Sequence, residues 1–276
     1  MSDVKNSVIR GGVAKVCAQA TTFTLRVGSL MVMARLLDPK DFGLVGMVAA
    51  ITGVLNLFRD FGLSSATVQR LNVTDEQIST LFWINILVGV SLALLLMSLA
   101  PVVVSFYHEP HLLWVTIILA TSFIFNGAGV QHTALLERQL RFTTLAAIDV
   151  ISLSVSTFIG ITMAMRGFGY WGLVAATVSI PVVGTLCAWQ RTGWIPGRPR
   201  RGVGLRSMMR FGGGLTLVNL IVYVAYNLEK VLLGRFWGAS AVGIYGRGYQ
   251  LVNIPTDNLN SAVSAVAFSG LSTRTR

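Results

Sequence analysis

Long stretches without a charged residue, separated by short polar breaks, dominate the chain. Charge-free apolar runs cover 42–58, 77–107, 110–136, 167–190 and 211–228. Three further runs carry isolated ionisable groups: 13–34 holds Arg26, 144–165 holds Asp149, and 241–268 holds Arg247 and Asp257. A helix needs about 20 mostly apolar residues to cross ~30 Å of hydrocarbon, so the pattern predicts eight spans. The runs lack the period-two alternation of a membrane β-barrel. The predicted fold is all-α, a polytopic membrane helix bundle. Tight connections at 35–41, 108–111 and 166–169 imply antiparallel neighbours, and Pro181 and Pro255 fall inside spans as kinks that packed neighbours can satisfy.

Composition agrees. Of 276 residues, 53% are hydrophobic and 12% charged, about half the ~25% charged share of a soluble domain, and the mean hydropathy is +0.67. An ordinary soluble enzyme is excluded. The net charge is +11, and its placement matters more than its size. With the N-terminus inside, Lys5, Arg10, Lys15, Arg59, Arg70, Arg138, Arg141 and the six arginines of 191–210 face the cytoplasm, while Arg35, Lys40, Arg166 and Arg235 face the other side. Such asymmetry predicts a cytoplasmic N-terminus, and it reads as membrane topology, not as a nucleic-acid surface. No small-residue cleavage site follows the basic N-terminus, so a removed signal peptide is not expected. Cys17 and Cys187 read as small core residues. The segment 191–210, with no acid and with Pro196 and Pro199, reads as a linker between helix bundles. Anchoring topology is favoured there over binding anionic lipid or pyrophosphate.

Several segments in collinear order then carry a resemblance. Leu37-Asp38-Pro39-Lys40-Asp41-Phe42-Gly43 is similar to the turn after the first span of bacterial polysaccharide transporters. So, at comparable places, are Asp60-Phe61-Gly62-Leu63-Ser64-Ser65-Ala66 with Gln69-Arg70, Leu81-Phe82-Trp83-Ile84-Asn85, Leu136-Glu137-Arg138 with Arg141-Phe142, Gly169-Tyr170-Trp171-Gly172-Leu173, and Gly243-Ile244-Tyr245 with Tyr249. The resemblance implies a member of the multidrug, oligosaccharidyl-lipid and polysaccharide flippase superfamily, with two lobes that open alternately. On that frame the expected organisation is a first six-helix lobe at 1–190, a basic cytoplasmic linker at 191–210, and the first two helices of a second, truncated lobe at 211–276.

An ionisable side chain inside a span costs ~2.5 to 3.5 kcal/mol on insertion scales and is a functional candidate by default. Arg26 lies about 20 Å along a helix starting near Val13. Gln19 and Thr22 share its helical face, so a polar stripe is expected to point into a cavity, where an arginine can grip a diphosphate bidentately. The plainer reading pairs Arg26 with an acid on a neighbouring helix. Lys230 and Arg247 are further candidates for the anion, with snorkelling to the interface the plainer reading for Lys230. Gln250, Asn253, Asp257 and Asn260 lie within roughly 80° of arc, making Asp257 a candidate for ion coupling, weighed evenly against an interfacial amphipathic helix. Glu229, adjacent to Lys230 but about 100° away on the helix, is the other coupling candidate. Asp149 is expected to pair with Arg138 or Arg141.

His108-Glu109-Pro110-His111 has metal-ligand residue types, but Pro110 breaks the register a two-histidine face needs, and an outer turn is expected. Gly212, Gly213 and Gly214 follow no strand and suit close helix approach better than phosphate binding. Trp83, Trp114, Trp171, Trp189 and Trp194 fit interfacial belts. No catalytic triad or paired-carboxylate arrangement is discernible, so neither enzymatic activity nor a cofactor is expected. The expected function is a flippase moving polyprenyl-diphosphate-linked oligosaccharide across the bacterial inner membrane for lipopolysaccharide or exopolysaccharide assembly. Membrane lipids, a polysaccharide polymerase and export machinery are the expected partners. The alternatives are a drug exporter of the same superfamily, a membrane-embedded polysaccharide-assembly enzyme, or a non-transporting fragment.

Overall fold

The computed structural model describes residues 2–59, 74–199 and 221–253, and among them every regular element is helical. In chain order these are α1 (Ser2–Leu36), α2 (Pro39–Asn56), α3 (Asp75–Tyr107), α4 (Leu112–Arg138), α5 (Phe142–Met165) and α6 (Tyr170–Thr192), followed by a helical stretch at 221–253. Helices α3 to α6 are long and apolar enough to cross a membrane. Their ends fall within a few residues of the predicted spans. The motif at 60–70, the glycines at 212–214, Pro255 and Asp257 lie outside the described residues.

Local chemistry sets the boundaries. Pro39 occupies the first turn of α2, where a missing N–H costs nothing, and the Asp41 carboxylate accepts a hydrogen bond from the Asp38 N–H at 3.2 Å. At α3, Thr74 and Gln77 form a reciprocal capping box: Gln77 N–H donates to Thr74 Oγ1 at 3.3 Å and Thr74 N–H to Gln77 Oε1 at 3.1 Å. One boundary differs from expectation. The predicted break between the seventh and eighth spans, around 229–240, is helical, because charged residues such as Glu229, Lys230 and Arg235 expose polar groups without breaking a helix. Only Gly238 departs, with φ at 78°.

In hydrocarbon, helix association rests on van der Waals packing and interhelical hydrogen bonds. At the α3–α4 crossing a Cβ on Gly89 would stand 2.5 Å from the Phe123 carbonyl oxygen, and one on Gly127 2.6 Å from that of Asn85. Helices α5 and α6 meet similarly at Gly160 and Gly172, with Ser156 Oγ donating to the Ala176 carbonyl at 2.7 Å. Thr185 of α6 donates to the Phe125 carbonyl of α4 at 2.8 Å. Leu44, Met47, Val103, Leu112, Val115 and Val174 form the main core, which Ala239 and Val242 join. Gly43 and Gly243 let these later residues approach α2 so closely that a Cβ on either would collide with backbone, of Ala239 and Pro39 respectively.

The connections gather at two ends. At one, Glu109 Oε2 lies 3.4 Å from Lys40 Nζ and its Oε1 2.7 Å from His111 Nδ1, while Asp41 approaches Gly169. At the other, Arg141 Nη1 donates to the Arg191 carbonyl at 2.9 Å. There the start of the predicted linker is held against the bundle. Trp83 Nε1 donates to the Gly197 carbonyl at 2.9 Å, Gly197 N–H donates to Ser79 Oγ at 3.0 Å, and Trp194 packs edge-on against Phe82 and the buried His132. His132 in turn stacks on Trp189 at 4.5 Å. Residues 193–199 are thus tethered to α3 and α4, because their tryptophan and backbone amides find partners at those helix ends.

Two outcomes follow. Gly127→Val should cost about 1–3 kcal/mol by overpacking and lower the thermal midpoint of the full-length protein in detergent, whereas Gly28→Ala, with nothing within 4 Å of its Cβ position, should leave it unchanged. Burial pushes the Glu109 carboxyl up, but the His111 hydrogen bond and the Lys40 charge outweigh it, leaving the group below its usual range. The stability it contributes is present above the ordinary carboxylate value of ~4.3 and lost as pH falls through the lowered one. The gap in thermal midpoint between wild type and Glu109→Gln should therefore persist at neutral pH and close in acid.

Candidate functional site

A cavity of about 870 Å³ opens between α1, α4, α5 and α6, toward the end that carries residues 139–141 and 191–199. Gln19, Thr22 and Arg26 all line it, as their three- and four-residue spacing predicts. The facing wall brings Asp149, two turns into α5, and Arg26 interacts with it electrostatically. Of the two loop arginines expected to pair with Asp149, Arg141 bonds the Arg191 carbonyl instead, and Asp149 lines the cavity with Arg26 of α1. Pro181 lies on the α6 wall with Thr185.

Three cavity residues escape sequence reasoning. Arg59, counted there only as a loop charge, turns inward from the end of α2, its Nη1 donating to Asn126 Oδ1 at 3.1 Å and its Nε buried without a hydrogen-bond partner among the described residues. Asn126 is an amide within an otherwise apolar run, a weak signal that was available. Glu137, at the end of α4, also faces the cavity. Two arginines and two carboxylates therefore share one polar space.

Lys230 and Arg247 are not part of it. They line a second, smaller cavity of about 260 Å³ between the first half of α2 and the 221–253 stretch. Lys230 Nζ donates to Asn227 Oδ1 at 3.0 Å and sits 4.6 Å over the Tyr249 ring. Arg247 Nε donates to the Gly243 carbonyl at 3.3 Å, with its guanidinium 4.6 Å over Phe42. Glu229 points elsewhere, accepting from the Tyr245 hydroxyl at 3.3 Å. The three cations that sequence grouped together thus divide between two sites.

The arrangement can hold polar, anionic chemistry inside an apolar bundle, and comparison with known proteins agrees in kind. A family described as polysaccharide biosynthesis protein matches residues 32–276. The chain is 34% identical over 212 residues to the teichuronic acid biosynthesis protein TuaB of Bacillus subtilis, covering 76% of this chain and 44% of that protein. It is 26% identical to the lipopolysaccharide biosynthesis protein WzxC of Escherichia coli, over 92% of this chain and 53% of the relative. To the succinoglycan biosynthesis transport protein ExoT of Rhizobium meliloti it is 24% identical, over 92% and 51%. The chain spans about half the length of the curated relatives it matches. No solved structure matches. With a polar cavity set among membrane-length helices and a family match running from α1 to the last residue, this multi-pass membrane protein belongs to the family of polysaccharide biosynthesis proteins.

Proposed function

We propose that the chain forms the first lobe (1–190), the basic linker (191–210) and the start of the second lobe (211–276) of a flippase in the bacterial inner membrane. It carries polyprenyl-diphosphate-linked oligosaccharide outward and performs no covalent chemistry. The observation that supports this reading best is the cavity lined by Gln19, Thr22 and Arg26, a polar space inside helices whose outer faces suit lipid. A diphosphate and its sugars cannot cross hydrocarbon unshielded, and a guanidinium matches phosphate oxygens bidentately. Asp149 and Arg26 act on each other electrostatically across this space, and the more highly charged diphosphate takes over the role of the carboxylate. Arg59, whose Nε has no hydrogen-bond partner among the described residues, is a second donor lining the same cavity. Membrane lipids surround the apolar faces, and a polymerase with export machinery is the natural consumer of the product. Asp257 and Glu229 remain the candidates for ion coupling.

A drug exporter of the same superfamily gains one point from the structure. Few acids are visible in the first lobe by sequence, yet Asp149 and Glu137 both line the cavity. Each shares that space with an arginine, so the site offers no net negative charge to a cationic drug.

In the full-length protein, Arg26→Ala should abolish surface polysaccharide while membrane levels stay normal, and drug efflux should be unaffected. Undiminished polysaccharide would sink the assignment. For orientation, alkaline phosphatase fused after Asp38 should be active and a fusion after Leu140 inactive, and the reverse pattern would place the N-terminus outside.

A further inference from the structure

Arg26 and Arg59 line the same cavity but are held in different ways. Arg26 has Asp149 across the space, a carboxylate that acts on it electrostatically. Arg59 has an amide. Its Nη1 donates to Asn126 Oδ1 at 3.1 Å, and among the described residues it forms no ion pair. That bond uses one of the five guanidinium N–H groups. An amide oxygen accepts a hydrogen bond but carries no net charge, so it orients the guanidinium and leaves the positive charge to the cavity. A carboxylate at the same point would orient the group equally well and cancel its charge.

The two partners also differ in how firmly they are mounted. Arg59 lies just past the end of α2, in a turn where its N–H donates to the Asn56 carbonyl at 3.2 Å, and its long side chain has many rotamers to lose. Asn126 has a short side chain and stands near the middle of α4, on a stretch gripped from two sides. From α6, Thr185 Oγ1 donates to the Phe125 carbonyl at 2.8 Å and Trp189 Nε1 to the Ala128 carbonyl at 2.9 Å. From α3, the backbone closes on Gly127, where a Cβ would stand 2.6 Å from the Asn85 carbonyl oxygen. The residue before Asn126 is thus fixed by α6 and the residue after it by α3. A short amide on a clamped backbone is an anchor for a long side chain that leaves a turn, and the cost of ordering that side chain is met before any ligand arrives.

We propose that Asn126 is a positioning residue for the diphosphate: its neutral amide oxygen sets the Arg59 guanidinium in the cavity while leaving that group cationic. The rest of the guanidinium stays available to an anion. Asparagine at this position gives an arginine that is both fixed and charged, whereas aspartate would give one that is fixed and neutralised. The inference rests on the flippase reading and adds to it a residue that acts through Arg59 and not on the lipid itself.

The test measures binding of polyprenyl diphosphate to the full-length protein in detergent, with the thermal midpoint as a check on folding. Asn126→Leu, which keeps the volume and removes the acceptor, should weaken binding about tenfold, the scale of one hydrogen bond to a charged group. In proteoliposomes the same variant should raise the half-saturating substrate concentration and leave the maximal rate unchanged. Asn126→Asp, which keeps both size and polarity, should weaken binding at least as much, because the new carboxylate pairs with Arg59 and repels the diphosphate. Arg59→Gln should weaken binding as well, and in that background Asn126→Leu should add nothing, since a residue that acts through Arg59 has nothing left to act on. Wild-type affinity in the Asn126→Asp protein, which alone decides the matter if Asn126→Leu does not fold, would overturn the inference. So would full additivity of the Arg59→Gln and Asn126→Leu losses, which would make Asn126 a packing residue. A wild type that does not bind polyprenyl diphosphate would instead remove the flippase reading, and the inference with it.

Discussion

Inside hydrocarbon a charged side chain must find a partner, a polar cavity or the interface, because water is not there to solvate it. The architecture follows from that constraint. The apolar faces of α3 to α6 accept lipid, and Arg26, Arg59, Glu137 and Asp149 line one polar space while Lys230 and Arg247 line another. Because burial from lipid supplies no hydrophobic drive, the helices are held by contact instead. Gly89 on Gly127 and Gly160 on Gly172 bring backbones together, and Ser156, Thr185 and Trp189 reach across to carbonyls of neighbouring helices.

The two spaces solve the charge problem differently. Around Arg26 the solution is internal, with acids and arginines facing one another across a cavity large enough for a head group. Around Lys230 and Arg247, among the described residues, aromatic rings stand in place of counter-charges. A balanced cavity can exchange its internal partner for a ligand of higher charge at modest cost.

Much of this is legible from the residues. Span positions are, because twenty apolar residues in a row have one stable use in a cell. The Gln19–Thr22–Arg26 face is as well, because helical periodicity is a local property. The Leu37–Gly43 turn declares itself through Pro39 and Asp41. The failures share a cause. Glu229 and Lys230 end a charge-free run without ending the helix, since charge is not a backbone breaker. Arg59 and Glu137 sit at helix ends, where sequence cannot tell a charge that faces water from one that turns into the bundle. Nothing local marks the tether between Trp194, His132 and Phe82, whose members come from three separate parts of the chain.

By itself the sequence determined that this is a polytopic helical membrane protein of the polysaccharide family, which charges are asymmetrically placed, and which face of α1 is polar. Each of these depends on composition, period or short-range order. Only the tertiary structure decided that Arg26 faces Asp149, that Arg59 joins them, and that Lys230 and Arg247 occupy a different cavity with no acid among its described lining residues. Those facts depend on which helices pack together and at what rotation, and these are set by the summed contacts of the whole bundle.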